Sequence, residues 1–217
     1  MFITLEGIEG SGKSTQIQSI VRWLTAAGRE CLTTREPGGT SIGGRIRSIL
    51  LHPDNRDMAP AAELLLYIAD RVQHVETVVR PGLAAGKVVV CDRYFDATLV
   101  YQGYARGLDR DLIRRLHQWL CDGLMPDLTL LLDLPAEEGL ARAWRRLHDD
   151  AGLARESRFE KEKLAFHERV RAGYLDLAHR EPRRFVIIDA AVEAPAVERQ
   201  IEAALQRHLE PRCDEAT

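Results

Sequence analysis

Residues 7–14 read GIEGSGKS and match the pattern G-x-x-x-x-G-K-[ST], which is typical of loops that bind nucleoside triphosphates. Glycines let successive backbone N–H groups converge on phosphate oxygens, and the lysine side chain then reaches the β and γ phosphates. The hydroxyl that follows the lysine is a ligand for Mg²⁺. The predicted cofactor-binding residues in this loop are Gly7, Ile8, Glu9, Gly10, Ser11, Gly12, Lys13, Ser14 and Thr15.

Glu9 places a carboxylate inside this loop, where it would face a triphosphate. At reduced dielectric, two such negative charges repel each other by kilocalories per mole. The loop pattern alone fits GTPases, motor ATPases and small-molecule kinases, which differ in their second substrate. The role of Glu9 therefore depends on whether the chain has a second binding site.

Two further polar clusters follow predicted strands, TREPGGT at residues 34–40 and CDRY at residues 91–94. Asp92 ends an apolar run and is well placed to hold magnesium water or the hydroxyl of the phosphate loop. Arg93 can lie between two phosphate groups, with a simple ion pair to a neighbouring acid as the alternative. The clusters indicate a second phosphate site beside the first.

Tyr67 and Arg71 lie four residues apart on a predicted helix and therefore share a face. A tyrosine ring with an arginine one turn away suits a flat nucleobase, because the ring stacks and the guanidinium donates to a carbonyl edge. From spacing alone, an ordinary half-buried helix face is the better explanation. The pair is a candidate base-binding site that spacing leaves open.

The elements that must position these residues are short apolar runs that alternate with amphipathic stretches. The runs lie at residues 2–6, 31–34, 88–91, 128–134 and 185–189. Such runs are typical of strands buried on both faces. Helices are predicted at residues 13–27, 41–51, 60–80, 109–121, 136–147, 160–180 and 194–209. The alternation predicts an α/β fold, a five-stranded parallel sheet with helices on both faces, whose ligands gather beyond the carboxyl ends of the strands.

Length and charge limit the class of protein. With 217 residues and 45% hydrophobic content the chain can bury one core, so we predict a single domain over residues 1–211 and a short polar tail at 212–217. A net charge of −3 argues against a broad cationic surface for nucleic acid. No apolar run reaches the roughly 20 residues of a membrane helix, and the 4 scattered cysteines suit a reducing compartment. We expect a cytoplasmic protein without nucleic-acid or membrane partners.

Residues 142–163 are dense in both charges and poor in large apolar side chains. On composition alone, a solvated helix–loop–helix surface explains this segment about as well as a functional role does. Its function must be argued from what its arginines reach. These arginines are Arg142, Arg145, Arg146, Arg155 and Arg158.

Taken together, the motifs resemble those of thymidylate kinases, which transfer the γ-phosphoryl group of ATP to dTMP. The segments EGIEGSGKST, TREPGGT, AELLLYIADRVQH, CDRYFDATLVYQG, PDLTLLLDLP, SRFEKEKLAFHERVRAGYL and IDA occur in the family's order and at its spacings. TREPGGT together with DRY and YQG is highly specific, whereas the phosphate loop alone is not. The resemblance implies the P-loop NTPase fold, ATP as donor with Mg²⁺, dTMP as acceptor, formation of dTDP for dTTP synthesis, and a homodimer.

The resemblance also assigns roles residue by residue. It implies that Tyr67, where the family usually has Phe, stacks on thymine and that Arg71 bonds the O4 edge of the base. Thr98 falls where a small polar residue contacts the base, and Tyr101 falls where a ring approaches the sugar at C2′. The implied substrate-binding residues are Glu9, Arg35, Glu36, Pro37, Arg47, Tyr67, Arg71, Arg93, Thr98, Tyr101 and Gln102.

Family members without a basic residue in the phosphate loop supply arginine from a mobile lid, and this chain resembles that bacterial kind. Residues 142–163 match the lid, where Arg158 is the matched arginine and Arg146 a weaker candidate. Ser157 stands where the family commonly has Asp, and Ala190 is expected to contact adenine. The implied catalytic residues are Lys13, Arg93, Glu9 and Arg158, and the implied metal ligands are Ser14 and Asp92.

If the chain has an acceptor site, Glu9 can accept a hydrogen bond from the 3′-hydroxyl of dTMP or hold the magnesium and arginine shell. No strong general base is needed, because the acceptor phosphate is already ionised and catalysis rests on in-line placement and neutralised charge. Two alternatives remain. One is a kinase for another nucleotide or nucleoside, and the other is a regulatory P-loop ATPase, which predicts no acceptor pocket.

Overall fold

A computed structural model describes residues 1–149 and 156–209, which form one five-stranded sheet with surrounding helices. Neighbouring strands all pair in parallel, in the order β2-β3-β1-β4-β5. The strands are β1 (Phe2–Glu6), β2 (Cys31–Arg35), β3 (Val88–Asp92), β4 (Leu128–Asp133) and β5 (Phe185–Asp189). The predicted α/β fold with a five-stranded parallel sheet is confirmed. The predicted tail at 212–217 and Arg155 lie outside the described residues.

The helices follow the amphipathic stretches with two differences. They are α1 (Lys13–Ala26), α2 (Ser41–Leu51), α3 (Pro60–His74), α4 (Arg80–Ala84), α5 (Phe95–Thr98), α6 (Arg110–Cys121), α7 (Ala136–Asp149), α8 (Leu164–Arg180) and α9 (Ala194–Leu209). The helix predicted over 60–80 widens into a π-helical stretch at Val75–Val79. Pro81 follows it, and a proline ring clashes with the carbonyl four residues earlier in a regular helix.

Residues 95–105 form α5 and a second π-helical stretch, Leu99–Ala105, that the sequence pattern did not predict. Nearly all of these residues are buried. A helix buried on every side lacks the apolar stripe that gives an amphipathic helix its 3.6-residue period. This stretch therefore carried no helical signal, although it holds several predicted site residues.

The core lies on both faces of the sheet. Every residue of β1 is buried, and side chains alternate between the faces of a strand, so helices cover both sides. Helices α1 and α9 contact each other and the sheet, and α8 packs against β4 and β5. The expectation that all five runs are buried on both faces is wrong for β2, where Thr33 is exposed, and for β5, where Ile187 is exposed. The reason is that both are edge strands, since β2 pairs only with β3 and β5 only with β4.

Three predicted site loops leave the sheet at one edge. Asp92 at the end of β3 is in register with Leu5 of β1 and with Arg35 of β2. The phosphate loop, TREPGGT and DRY therefore begin side by side, at the carboxyl ends of adjacent parallel strands. No helix in the described part of the chain is long and apolar enough to cross a membrane.

Candidate active site

The phosphate loop joins β1 to α1 through glycines whose backbone no other residue would adopt easily. Gly12 (φ 91°) immediately precedes α1, and Gly10 has a φ of 74°. A Cβ on Gly10 would lie 2.1 Å from the carbonyl oxygen of Gly139, so α7 packs directly on the loop backbone. The loop thus presents its N–H groups next to the N-terminus of α1, an arrangement that binds phosphate.

The side chain of Lys13 is folded back onto this loop. Its Nζ donates to the carbonyl oxygens of Gly7 (3.0 Å) and Ile8 (2.9 Å) and to the hydroxyl of Ser11 (3.2 Å). Burial and the nearby Arg93 together lower the pKa of Lys13 to about 8, against the opposing effect of neighbouring carboxylates. The ammonium group is positioned to bind an anion, and without an anion its charged form is destabilised by burial.

Arg93 follows β3 with a left-handed backbone, φ 65°, and connects the loop to its surroundings. Its Nη1 donates to the carbonyl oxygen of Gly7 (2.8 Å) and to the hydroxyl of Tyr174 (3.2 Å). Its Nη2 donates to Glu9 Oε1 (3.0 Å), and the guanidinium lies 5.0 Å from the centroid of the Tyr101 ring. Arg93 therefore stands where the loop meets the wall formed by residues 95–105.

The carboxylate of Glu9 is surrounded by donors from three elements. Its Oε1 accepts from Arg93 and also from the Tyr101 hydroxyl at 2.6 Å, and its Oε2 lies 3.1 Å from His167 Nδ1. Burial by itself would raise the pKa of Glu9, but Arg93, His167 and Lys13 outweigh it and hold that pKa well below its usual range. Glu9 is therefore ionised and paired with protein cations.

The predicted base-binding side is built around the buried guanidinium of Arg71 on α3. Its Nε donates to Glu36 Oε2 (2.8 Å), and its Nη2 donates to the hydroxyl of Thr98 (2.7 Å). Glu36 is itself held by His74, whose Nδ1 lies 2.8 Å from Glu36 Oε1. The acid of TREPGGT thus orients the arginine, while Tyr67 lies one turn earlier on the same helix.

Arg47, on the predicted acceptor-phosphate side, is paired in this structure. Its Nε and Nη2 donate to the carboxylate of Glu156, the latter at 2.7 Å, and its Nη1 donates to the carbonyl oxygen of Pro37 (2.9 Å). Arg35 at the end of β2 is exposed. The two arginines flank the same opening, one of them held by an acid from the segment that follows α7.

One cavity of about 490 Å³ joins the phosphate loop to these walls, a size suited to nucleotide-like ligands. The predicted residues that line it are Glu9, Gly10, Gly12, Lys13, Ser14, Thr15, Arg35, Glu36, Pro37, Arg47, Tyr67, Arg71, Asp92, Arg93, Thr98, Tyr101 and Gln102. Arg146, Glu156, Phe159 and Glu160 close its outer side. Gly7, Ile8 and Ser11 lie behind the lining and hold Lys13 instead.

Arg158, predicted to act on phosphate, is not brought to this cavity. Its Nη2 donates to Glu63 Oε2 and its Nε to the carbonyl oxygen of Leu50, both at 2.5 Å, and the residue is 3% exposed. Gln102 donates to the other oxygen of Glu63 at 2.7 Å. Residues 157–160 are all buried, so the interpretation of this charged segment as a solvated surface is wrong there: its charges are paired internally.

Other arginines of the charged segment are placed differently. Arg142 on α7 donates to the carbonyl oxygen of Ala190 (3.0 Å), so it contacts the loop predicted to meet adenine. Ala190 itself is buried and does not line the cavity. Arg146 does line it, with its guanidinium 3.9 Å from Glu160 and half exposed. Of the described lid arginines, Arg146 is the one that faces the cavity.

Asp92 and Ser14, the two predicted metal ligands, both line the cavity. Asp92 Oδ1 is a buried carboxylate oxygen for which the described residues provide no hydrogen-bond donor, and Ser14 lines the same cavity. Among the described residues no cluster of three or more His, Cys, Asp or Glu side chains could hold a metal by itself. This pattern fits Mg²⁺, which uses one or two protein ligands together with water and substrate phosphates.

Comparison with known proteins decides the family. The family model of thymidylate kinase matches residues 5–201. The thymidylate kinase of Desulfosudis oleivorans is 58% identical over 207 residues, which cover 95% of this chain and 97% of that protein. The chain belongs to the thymidylate kinase family. The thymidylate kinase of Trichlorobacter lovleyi is 54% identical over 209 residues, covering 96% of this chain and 98% of that protein.

The solved structures agree with this family assignment. The crystal structure of thymidylate kinase from Ehrlichia chaffeensis superposes with a TM-score of 0.74 at 32% identity, covering 95% of this chain and 98% of that one. The predicted P-loop NTPase fold and the predicted membership of the thymidylate kinase family are confirmed, and the chain is a kinase.

Two site residues of this family member were missed in the sequence, and both lie on α8. His167 contacts Glu9, and Tyr174 donates to Glu6 Oε2 (2.7 Å) while accepting from Arg93. They are seven residues apart and therefore project from the same face of the helix. Two polar rings on the buried face of α8 were the available signal, but their partners are more than 80 residues away in the sequence.

Proposed function

We propose that this chain transfers the γ-phosphoryl group of ATP to dTMP, forming ADP and dTDP for dTTP synthesis. The thymidylate kinase family supports the reaction. The single structural observation that supports it most is Arg93, which touches the phosphate loop at Gly7 and, through Glu9, the wall that carries Tyr101. A single guanidinium there can serve a donor and an acceptor in the same cavity.

On the donor side, the N–H groups of residues 10–15 would hold the β and γ phosphates. Lys13 would exchange its bonds to the Gly7 and Ile8 carbonyls for phosphate oxygens. Because burial already destabilises its charge, a triphosphate would be a favourable partner. Ala190, beside Arg142 and behind the cavity wall, marks the direction in which the adenine would extend.

On the acceptor side, Tyr67 would stack on the base while Arg71 and Thr98 bind its edge. Glu36 and Thr98 fix Arg71 from two directions, so its guanidinium is oriented before the nucleotide arrives. Tyr101, tied to Glu9, would face the sugar and disfavour a 2′-hydroxyl. Of the roughly four lone-pair sites of a carboxylate, Glu9 retains one for the 3′-hydroxyl of dTMP, since Arg93, Tyr101 and His167 occupy the others. Arg35 and Arg47 would receive the acceptor phosphate.

In the chemical step, an oxygen of the dTMP phosphate forms a bond to the γ-phosphorus as the bond to the β–γ bridging oxygen breaks, and ADP leaves with that electron pair. The chain's own part is to align the two nucleotides and to neutralise the transferred group through Lys13 and Arg93. Ser14 and Asp92 would hold Mg²⁺, which when bound neutralises the phosphate oxygens of ATP. No residue needs to remove a proton from the acceptor phosphate.

We propose that Arg146, in the segment at 142–163, is the arginine that completes the neutralisation of the transferred phosphoryl group. The resemblance assigned that role to Arg158, but Arg158 would have to leave a buried ion pair with Glu63 to reach the phosphates. Arg146 already lines the cavity and is half exposed, so it can turn inward at small cost. The segment would then act as a lid that also limits access of water.

We also propose a homodimer and a cytoplasmic location. Leu65 on α3 is 60% exposed and Trp119 on the neighbouring α6 is 79% exposed, which supports an interface on this side of the molecule. The described cysteines are free thiols, as expected in a reducing compartment. Sedimentation equilibrium tests the dimer directly, and a monomer at micromolar concentration contradicts it.

The function is tested by following ATP consumption with dTMP, dUMP, UMP, CMP and thymidine as acceptors. The proposal predicts dTDP formation with dTMP at a kcat/KM at least about a hundred times that with UMP, since a ribose hydroxyl would meet the Tyr101 ring. Rapid ATP hydrolysis that does not depend on an acceptor would instead support a regulatory ATPase. Preference for UMP or CMP would indicate a different nucleotide kinase.

A further inference from the structure

His167 lies fully buried between the phosphate loop and the segment that precedes α8. Its Nδ1 is 3.1 Å from Glu9 Oε2, and its Nε2 is 3.1 Å from the carbonyl oxygen of Phe159. The ring thus spans two parts of the chain that are separated by about 150 residues in sequence.

Both partners of His167 are hydrogen-bond acceptors. A carbonyl oxygen has no proton to donate, and a carboxylate donates only when it is protonated. Glu9 is ionised, since its other oxygen accepts from Arg93 and Tyr101 and nearby cations hold its pKa well below the usual range. The Phe159 carbonyl oxygen also accepts from the backbone N–H of Glu162 at 2.9 Å, so it is paired in either case. A neutral imidazole, however, carries one N–H, and the lone pair of its other nitrogen would face an acceptor oxygen at 3.1 Å, whereas an imidazolium donates to both oxygens.

We propose that His167 is a positioning residue: an imidazolium whose two N–H groups fasten Glu9 of the phosphate loop to the backbone of Phe159. The inference rests on the proposed function, because it takes Glu9 to face the acceptor nucleotide. His167 touches no substrate in this account. It acts through the two groups that it holds.

The two residues that His167 binds, Glu9 and Phe159, both contact Tyr101. Glu9 receives the Tyr101 hydroxyl at 2.6 Å, and the Phe159 ring packs edge-on against the Tyr101 ring, with centroids 5.3 Å apart at 88°. His167 therefore holds two of the groups that contact the side chain proposed to face the sugar of dTMP. We expect its loss to affect dTMP use and not ATP binding.

The charge of His167 also frees Arg93. Without His167, Arg93 would be the only described cation within ion-pair distance of the largely buried Glu9, and an unpaired carboxylate there is costly. With His167 beside Glu9 Oε2, Arg93 can turn toward phosphate oxygens while Glu9 remains paired. The positioning role thus extends to kcat as well as to the KM for dTMP.

Two substitutions separate the two bonds. In His167→Asn the side-chain amide nitrogen takes the place of Nδ1 and keeps the bond to Glu9, whereas in His167→Gln it takes the place of Nε2 and keeps the bond to Phe159. Each variant loses one charge-assisted hydrogen bond, so we expect kcat/KM for dTMP to fall about ten- to a hundredfold in both. The Kd for ATP should change less than about threefold in either variant, since neither bond reaches the donor site.

A matched control is His117→Gln. His117 is also buried and uses one nitrogen to reach a carbonyl, that of Leu124 at 3.0 Å, but it stacks on Phe95 away from Glu9. We expect dTMP kinetics near those of the wild type. Combining His167→Gln with Glu9→Gln should cost little more than Glu9→Gln alone, because His167 acts on the loop through Glu9. Fully additive losses would contradict the proposal.

The protonation itself is tested in the unmodified protein by ¹⁵N NMR of the histidine rings at pH 7, with the ring of His167 assigned by through-bond correlation to its own backbone. The proposal predicts two N–H nitrogens, and a neutral tautomer would overturn it even if both variants failed to fold. If wild-type protein forms no dTDP, the proposed function fails. If wild-type protein is active and folded His167 variants keep their dTMP kinetics, only the role of His167 fails.

Discussion

The carboxylate of Glu9 and the guanidinium of Arg93 form an ion pair, with 3.0 Å between Oε1 and Nη2. The acid that would repel a triphosphate from within the loop is thereby turned to the side of the loop and neutralised. Because Arg93 also binds the carbonyl of Gly7, the pair marks the boundary between the triphosphate loop and the acceptor wall. We therefore propose that Glu9 acts on the acceptor side.

Replacing Glu9 tests that assignment. Glu9→Ala removes the acceptor for Arg93 and Tyr101, so we expect kcat/KM for dTMP to fall at least about tenfold. ATP affinity, measured calorimetrically, should change less than threefold or rise slightly, since a negative charge near the phosphates is lost. The loss of kcat/KM in Glu9→Gln, which keeps the shape of the side chain, should be smaller than the loss in Glu9→Ala. Equal losses in dTMP use and ATP binding would contradict the assignment.

The pKa of Lys13, lowered to about 8, predicts proton uptake on nucleotide binding. At pH 8 roughly half of the free enzyme carries a neutral Lys13, and the bound phosphates raise the pKa again, so binding of a non-hydrolysable ATP analogue should take up roughly half a proton. Near pH 6.5 Lys13 is already charged and uptake from it should approach zero. Calorimetry in buffers of different ionisation enthalpy measures this number. In Lys13→Met the uptake at pH 8 should disappear, and persistence would assign it elsewhere.

Arg158 and Arg146 should separate stability from catalysis. Arg158→Ala leaves Glu63 buried with one cation fewer, a change that typically costs about 3–5 kcal/mol, at the lower end here because Arg106 also contacts Glu63. Arg146→Ala should change the free energy of unfolding by less than about 0.5 kcal/mol and lower kcat at least about tenfold. Urea denaturation and steady-state kinetics measure the two effects.

The control for this pair is Arg145→Ala. Arg145 is exposed on α7 and donates to the carbonyl of Ala141 within its own helix, so neither stability nor kcat should change appreciably. A stable Arg158→Ala variant with a greatly reduced kcat would instead support the role that the family resemblance assigns to Arg158.

Asp92 is expected to set the magnesium requirement. Its Oδ1 is buried without a described donor, so Asp92→Asn removes a charge that a cation would otherwise neutralise. We expect the Mg²⁺ concentration for half-maximal activity to rise about tenfold at saturating ATP and dTMP. An unchanged Mg²⁺ dependence would place the metal on other ligands.

Local patterns predicted much of this molecule. The phosphate loop is contiguous in sequence, and its glycines and lysine act through backbone geometry set by neighbouring residues, so GIEGSGKS was sufficient to place Lys13 and Ser14 beside the cavity. The strands were found because central strands of a parallel sheet are continuously apolar. Only the two edge strands, β2 and β5, departed from the expected burial.

Contacts between distant segments were not predictable in the same way. Arg158 is 95 residues from Glu63, and His167 is 158 residues from Glu9. The sequence around Arg158 or His167 therefore does not identify the partner of that residue. The charged composition at 157–160 suggested a solvated surface, yet Arg158 is paired with Glu63 and Glu160 with Arg146. A charged composition predicts exposure because burying an unpaired charge is unfavourable. Only the tertiary structure shows whether a partner offsets that unfavourable free energy.

The central claim is that one cavity joins an ATP site to a dTMP site for direct transfer. It is tested most directly by quantifying ADP and dTDP together, by chromatography, after the enzyme is incubated with ATP, Mg²⁺ and dTMP. We expect equal amounts of ADP and dTDP, no ADP above background without dTMP, and neither product with Lys13→Met. ADP formation without matching dTDP would contradict it.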